Sequence, residues 1–399
     1  MHCHVYWNAE MNTLSLKSKI VLLMASSLTV MSVSAISPAL PKIAEAFKTV
    51  ENAEFLVKLM LTIPSLIIAL FAPLAGFIID KGHRKALLIS CLIIYGVMGT
   101  TGLYLEQLQH FIMARAILGL GVAGIMTSAQ TLIADYYQGD ERNTMLGLQG
   151  TFISFGGVLF VALAGVLAVT SWRYPFALYA LALILAIPAY FVIHEPTMLE
   201  QHQTEEQRAI NNATYGTSMH IAGIGLIVFI GMVFFYAIPT QLPFLLALHG
   251  IDSPAKAGAV VSLATLAGGF SSYSMPYLKR LHHFSGLGGR AFALLALGFF
   301  GLSIAQSFPL TMFFALFSGA GIGLLMPSMR LWVISIAEPA LRGRSVGVIT
   351  SSLYLGQFLS PVFAQPIVGV YGITILYSII GVITMIIALL LLNRSKYAN

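Results

Sequence analysis

The sequence predicts an all-α integral membrane protein: twelve transmembrane helices in two six-helix bundles related by a parallel repeat. Three observations lead there. The 399 residues are 58% hydrophobic and only 9% charged, where a soluble domain carries about 25% charged residues. The apolar residues come in runs of about 20, the length that crosses a bilayer as a helix. Only helices satisfy so much backbone in lipid short of a closed barrel, and the runs are too long and continuous for barrel strands. The third observation is a repeat. At an offset of 200, Gly119 meets Gly319, Gly121 meets Gly321, Met126 meets Met326, Ser128 meets Ser328, Arg142 meets Arg342 and Gly156 meets Gly356. A fixed long period marks duplicated structural halves.

The elements follow in order. Residues 1–17 form a cytoplasmic tail, and Met11 offers an alternative start. His2, Cys3 and His4 lack further ligands at useful spacing, so no metal site is expected. Lys17 and Lys19 before an apolar run ending SVSA mimic a secretory signal. That run is nevertheless counted as a span, because it makes the total even. The spans fall at 18–40, 55–79, 86–105, 108–134, 143–169, 174–194, 221–247, 257–278, 290–307, 310–336, 345–368 and 371–393. The first six make a bundle over 18–194, and the last six a bundle over 221–393. Between them lies a polar linker, 195–220, carrying Glu195, Glu200, Glu205 and Glu206; 394–399 is a tail. Six spans is an even number, so both halves enter from the same side, as parallel repeats do. Span 1 ends ISPALP and span 7 ends IPTQLP. Gly119, Gly121 and Gly156, with their copies Gly319, Gly321 and Gly356, are expected to let spans 4 and 5, and 10 and 11, pack closely.

Orientation follows from lysine and arginine. One side receives fourteen of them, among them Lys81, Arg84, Lys85, Arg142, Arg280, Arg342 and Arg394, and the other side receives Lys42, Lys48, Lys58, Arg173 and Lys256. Both termini are therefore expected in the cytoplasm. The net charge of +6 sits in short connectors rather than on one patch, which argues against nucleic acid. Cys3 and Cys91 give no disulfide framework.

The loop after span 2 reads Gly76-Phe-Ile-Ile-Asp80-Lys81-Gly82-His83-Arg84-Lys85. It resembles the signature loop of the major facilitator superfamily: a glycine, three residues, an aspartate, then a basic run. His83 stands where the family usually has a second glycine. Span 4 reads Arg115-Ala-Ile-Leu118-Gly119-Leu-Gly121-Val-Ala123. This is similar to the drug/proton antiporter branch, with Leu118 at that branch's glutamine position. Asp135 to Arg142 resembles the family's connector, and Trp172-Arg173-Tyr174-Pro175-Phe176 its common approach to span 6. Span 5 lacks the branch's proline; in the repeat Pro361 stands opposite Val161. The resemblance implies a secondary transporter. Its conformational latch would be Gly76, Asp80, Arg84, Asp135 and Arg142, with Asp135 free to pair across to the basic loop.

In this family spans 1, 4, 7 and 10 line the cavity. The resemblance thus makes Arg115, Gln130, Tyr236, Gln241 and Arg330 candidates for substrate binding and coupling, and Gln357 in span 11, beside Pro361, is a further candidate. An arginine within a span is a functional candidate by default; snorkelling to an interface is the alternative. All fifteen acidic residues fall in tails, loops or span ends, with Asp80, Asp135 and Glu54 nearest the membrane. No GxxxxGK[ST] loop is present, so ATP drive is not expected. The reading is a non-enzymatic, cofactor-free and monomeric carrier in the cytoplasmic membrane, exporting a small organic molecule against protons. Its rivals are export of an anionic metabolite such as a siderophore, export of a sugar, ion-independent uptake, and a non-transporting receptor.

Overall fold

The computed structural model describes residues 16–80, 83–195, 219–281, 283–338 and 341–396. Among these residues there is no strand. The first half contains α1 (Leu16–Ser34), α2 (Leu40–Ala46), α3 (Ala53–Asp80), α4 (Arg84–Thr100), α5 (Leu108–Tyr136), α6 (Gly139–Thr170) and α7 (Ala180–Val192). The second contains α8 (Met219–Phe235), α9 (Ala237–Leu248), α10 (Pro254–Leu281), α11 (Phe284–Ile304), α12 (Phe308–Ile336) and α13 (Arg342–Lys396).

Among the described residues, ten helices are long and apolar enough to cross a membrane. One of them, α13, is two helices that meet at Gly372, whose φ of 84° is open to glycine but costly for other residues. The remaining crossing is α10, which carries Ser262, Ser271, Ser272 and Ser274 and is less apolar for that reason. Together these are the twelve crossings that the sequence predicts. The proline pairs break the first crossing of each half in similar places. Pro38 sits in a 3-10 turn over Ser37–Ala39, between α1 and α2. In the second half α8 gives way to α9 at Tyr236, just before Pro239. Proline has no N–H to continue the helical ladder.

Each half has its own apolar core. One gathers residues from Val21 to Ile193, the other residues from Ile221 to Leu391 together with Val161. Tyr236 and Phe244 pack against both cores. The repeated glycines mark helix contacts, but not those expected between spans 4 and 5. A Cβ on Gly119 would lie 2.9 Å from the Pro64 carbonyl oxygen of α3, and one on Gly319 would overlap the Ala264 carbonyl of α10. On Gly121 it would lie 3.0 Å from the Cys91 carbonyl oxygen of α4, and on Gly321 2.7 Å from that of Ala291 on α11. On Gly156 it would lie 2.7 Å from Ser27 Cβ of α1, and on Gly356 2.6 Å from the Phe229 carbonyl oxygen of α8. The copies therefore hold equivalent neighbours in the two halves.

Candidate functional site

The helices fix two ends to the molecule. Chain direction puts the start of α1, the loop between α3 and α4, Glu195 and the start of α8 at one end, here called the linker end. Loops 47–53, 171–174 and 249–253 lie at the far end. The hydrogen bonds that join the halves gather in the middle and at the far end. Ser37 Oγ donates to the Pro239 carbonyl at 2.6 Å, and Ser262 Oγ to the Val158 carbonyl at 3.1 Å. Ser65 Oγ donates to Gln357 Oε1 at 2.8 Å. Tyr354 hydroxyl reaches Met126 Sδ at 3.2 Å. At the far end Gly165 and Gly258 bring α6 and α10 together, a Cβ on Gly258 falling 3.1 Å from Gly165 Cα.

Gln130 lies one helical turn beyond Met126, on the same face of α5 and nearer the linker end. It is exposed, as is Arg330, its counterpart on α12. Because Met126 meets the second half, that face looks into the space between the halves. The contacts between the halves close the middle and the far end, and Gln130 and Arg330 are exposed nearer the linker end. Arg330 makes no ion pair among the described residues.

The other expected binding residues are engaged. Gln357 is tied to Ser65, and Gln241, fully buried, accepts from Lys58 Nζ at 2.7 Å. Both glutamines knit the halves together. Tyr236 is half-buried, its ring 6.2 Å from that of Phe235. Arg115 is 1% exposed and lies inside the first half. Its Nη1 donates to Tyr179 hydroxyl at 2.8 Å, its Nη2 to the Ser32 carbonyl, and its guanidinium carbon lies 5.3 Å from the Tyr179 ring centroid. It joins spans 1, 4 and 6 and does not snorkel.

Lys58 is expected at the far-side edge of span 2, and it lies in the second turn of α3 at the far end; what the sequence does not show is that it is fully buried between the halves. Its Nζ donates to Glu54, to Gln241 and, at 3.0 Å, to Gln365 Oε1. Sequence reasoning missed it because the apolar run of span 2 reads equally well with one cation at its edge.

At the linker end the structure brings Arg84 and Asp135 together, Nε to Oδ2 at 2.8 Å. Glu195 accepts from the Arg84 and Lys85 backbone N–H groups at 2.7 and 2.9 Å. These first-turn N–H groups have no helical acceptor, and the helix dipole favours a carboxylate there. Tyr136 hydroxyl donates to the His194 carbonyl. Burial, with Glu141 adding to it, pushes the Tyr137 phenol above its usual value, so it stays neutral beside Lys19, 5.4 Å from its ring centroid. Arg142 is exposed in the first turn of α6. Gly76 and Asp80 lie in the last turns of α3; the side chain of Asp80, and Lys81 and Gly82 entirely, fall outside the described residues. Glu195 was read from sequence as linker, yet it caps α4. Among the described residues no cluster of His, Cys, Asp and Glu could hold a metal ion.

A family model described as Major Facilitator Superfamily matches residues 22–285. The chain is 31% identical over 150 residues to the bacillibactin exporter of Bacillus subtilis (strain 168), covering 36% of this chain and 37% of that protein. It is 27% identical over 161 residues to multidrug resistance protein 2 of the same strain, covering 40% of each. These alignments span two fifths or less of the relatives' lengths. Among solved structures, a D-xylose-proton symporter superposes with a TM-score of 0.75 at 17% identity, covering 94% of this chain and 96% of that one.

Proposed function

The chain belongs to the Major Facilitator Superfamily, and from that premise we propose that it exports a small organic molecule from the cytoplasm by alternating access, driven by proton antiport. The observation that carries the reading is the asymmetry of the space between the halves. Ser37, Ser65 and Ser262 stitch it at the middle and far end, while Gln130 and Arg330 stand exposed toward the linker end. Cationic residues crowd the linker end, so the positive-inside rule makes that end cytoplasmic, with both termini. The far side carries only Lys42, Lys48, Arg173 and Lys256 besides the buried Lys58. The conformation is then one that loads from the cytoplasm. The stretch shared with two relatives named as an exporter and as a multidrug resistance protein supports the outward direction. The domain division at 195–220 and the latch role of Arg84 and Asp135 belong to this proposal. So does placement in the cytoplasmic membrane.

The test is an untargeted comparison of metabolites in the medium of cells with and without the gene, repeated with the pH gradient collapsed. The expected result is at least one compound that accumulates outside only with the gene and is retained inside when the gradient is lost. Export that persists unchanged without the gradient sinks proton coupling; identical media sink export.

Arg330 favours a second reading, an anionic metabolite as cargo. Its guanidinium is exposed and makes no ion pair among the described residues, so an anion would supply a partner. Arg330→Gln is expected to lower export of anionic compounds roughly tenfold, the loss of one charge-assisted hydrogen bond, while sparing cationic ones. Equal loss of both argues against it.

A further inference from the structure

Lys58 is a buried charge that loading and export, as set out above, leave without a task. It sits in the second turn of α3 and is 0% exposed. An ammonium has three donors and no acceptor. All three are used: on Glu54 one turn earlier, on Gln241 Oε1 of α9 at 2.7 Å and on Gln365 Oε1 of α13 at 3.0 Å. The Phe244 ring covers the remaining side, its centroid 4.4 Å from Nζ. The buried Gln241 Nε2 has no partner, so that amide gives up a donor contact to turn its oxygen to the cation.

The division of labour matters. The first half supplies both the charge and the counter-charge, Lys58 and Glu54. The second half supplies only neutral groups, two amide oxygens and a ring face. Parting the halves removes Gln241, Gln365 and Phe244 together but leaves the ammonium beside Glu54, whose side chain is already 43% exposed to receive water. The ion pair therefore survives opening, and what is lost is replaced by solvent. A contact that is satisfied both made and unmade suits a surface that must open and close. A cation paired to a carboxylate across the gap would instead be left unpaired each time. Further along α3, Thr62 and Ser65 continue the seam to the second half, Thr62 Oγ1 at 3.4 Å from the Phe358 carbonyl and Ser65 on Gln357.

We infer that Lys58 is the positioning residue that pins the two halves together at the far end, its ammonium setting the balance between the conformation closed there and the one open there. The inference rests on the alternating-access reading and names a gate within it. Neutralising Lys58 leaves the buried Gln241 amide oxygen and the half-buried Gln365 one without this donor in the closed conformation only, since water reaches both freely when the halves part. The balance then moves toward far-end opening.

Spin labels at Lys48→Cys and Asp252→Cys report the far-end separation, because both positions are exposed and lie on opposite halves. They are introduced with Cys3→Ser and Cys91→Ala, and distances are measured by double electron–electron resonance on the purified full chain. Lys58→Met, which keeps length and removes charge, is expected to enlarge the long-distance population several-fold. Gln365→Leu, which leaves the ion pair in place, is expected to do so to a smaller extent and decides the matter alone if Lys58→Met does not fold. A closed distribution in both variants overturns the pin. The labels read the gate whether or not cargo moves. Variants that open in a chain that exports nothing leave the pin standing and sink the efflux reading. Variants that stay closed in a chain that exports sink the pin alone.

Discussion

Arg115 and Lys58 are both cations held away from solvent in long apolar helices, and their surroundings differ in one respect. Every partner of Arg115 belongs to its own half: Tyr179 from the 3-10 turn before α7 and the Ser32 carbonyl at the end of α1. Lys58 takes one partner from its own helix and the rest from the other half. The first arrangement holds a rigid body together and has no reason to change during transport. The second spans the surface along which the halves must move. A buried charge in a carrier is thus read by asking whether its partners travel with it.

The repeat sharpens the contrast. Tyr179 hydroxyl lies 3.2 Å from the Ser32 carbonyl, and in the second half Tyr377 hydroxyl donates to the Ala237 carbonyl at 3.1 Å. The phenol that ties the last span to the first is therefore common to both halves. The cation is not, since the buried Ala315 stands where Arg115 does in the first half. Arg115 is an addition to a joint that the second half makes without it.

The largest expected effect that separates the two cations is on stability. Arg115→Ala leaves a cavity and strips donors from Ser32 and Tyr179, a loss of about 3 kcal/mol. The detergent-solubilised protein should melt at a lower temperature, with the far-end spin-label distances unaltered. Opening of the far end in this variant would erase the distinction between a clamp within a half and a pin between halves. Lys58→Met is expected to do the reverse, moving the distances with little change in melting. Tyr179→Phe and Tyr377→Phe rank next, each removing one hydrogen bond worth about 1 kcal/mol. Tyr179→Phe should cost more, because it also releases Arg115 Nη1. Equal melting temperatures would mean that the cation adds nothing to the joint.

The twelve crossings and the repeat were legible in the sequence because both are written in local composition: apolar runs of span length, and glycines at a constant offset. Gly372 was not legible in this way: by sequence it falls inside the last span, whereas its φ of 84° makes it the joint between the last two crossings. The site was also less legible. Lys58 meets Gln241 and Gln365 across separations of 183 and 307 residues, and no spacing rule covers such distances. Gln241 and Gln357 were singled out as cavity residues for being polar in apolar spans. That polarity instead serves the joint between halves. Arg115 stands out for its charge, and the tyrosine that accepts from its Nη1 lies 64 residues on, in a different span. Glu195 looked like one more acidic linker residue, because a cap on a helix start 110 residues earlier leaves no local trace.

The smallest effect expected is at Ser65. Its hydroxyl donates to Gln357 Oε1 at 2.8 Å, in the middle of the same seam that Lys58 closes at the far end. Ser65→Ala leaves that oxygen buried without a donor when the halves are together, and free to take water when they part. The cost falls on the closed conformation alone and is about 0.5–1.5 kcal/mol, the net worth of one neutral hydrogen bond. Such a change moves a two-state balance by a factor of roughly 2 to 12. The long-distance population in Ser65→Ala should therefore rise, but by less than in Lys58→Met, where one substitution empties two acceptors. A double substitution should exceed either alone, because the two contacts lie two helical turns apart and share no partner. If Ser65→Ala opens the far end more than Lys58→Met does, the seam is centred at mid-depth on the serine–glutamine contact, and the charge at the far end is a bystander to closure.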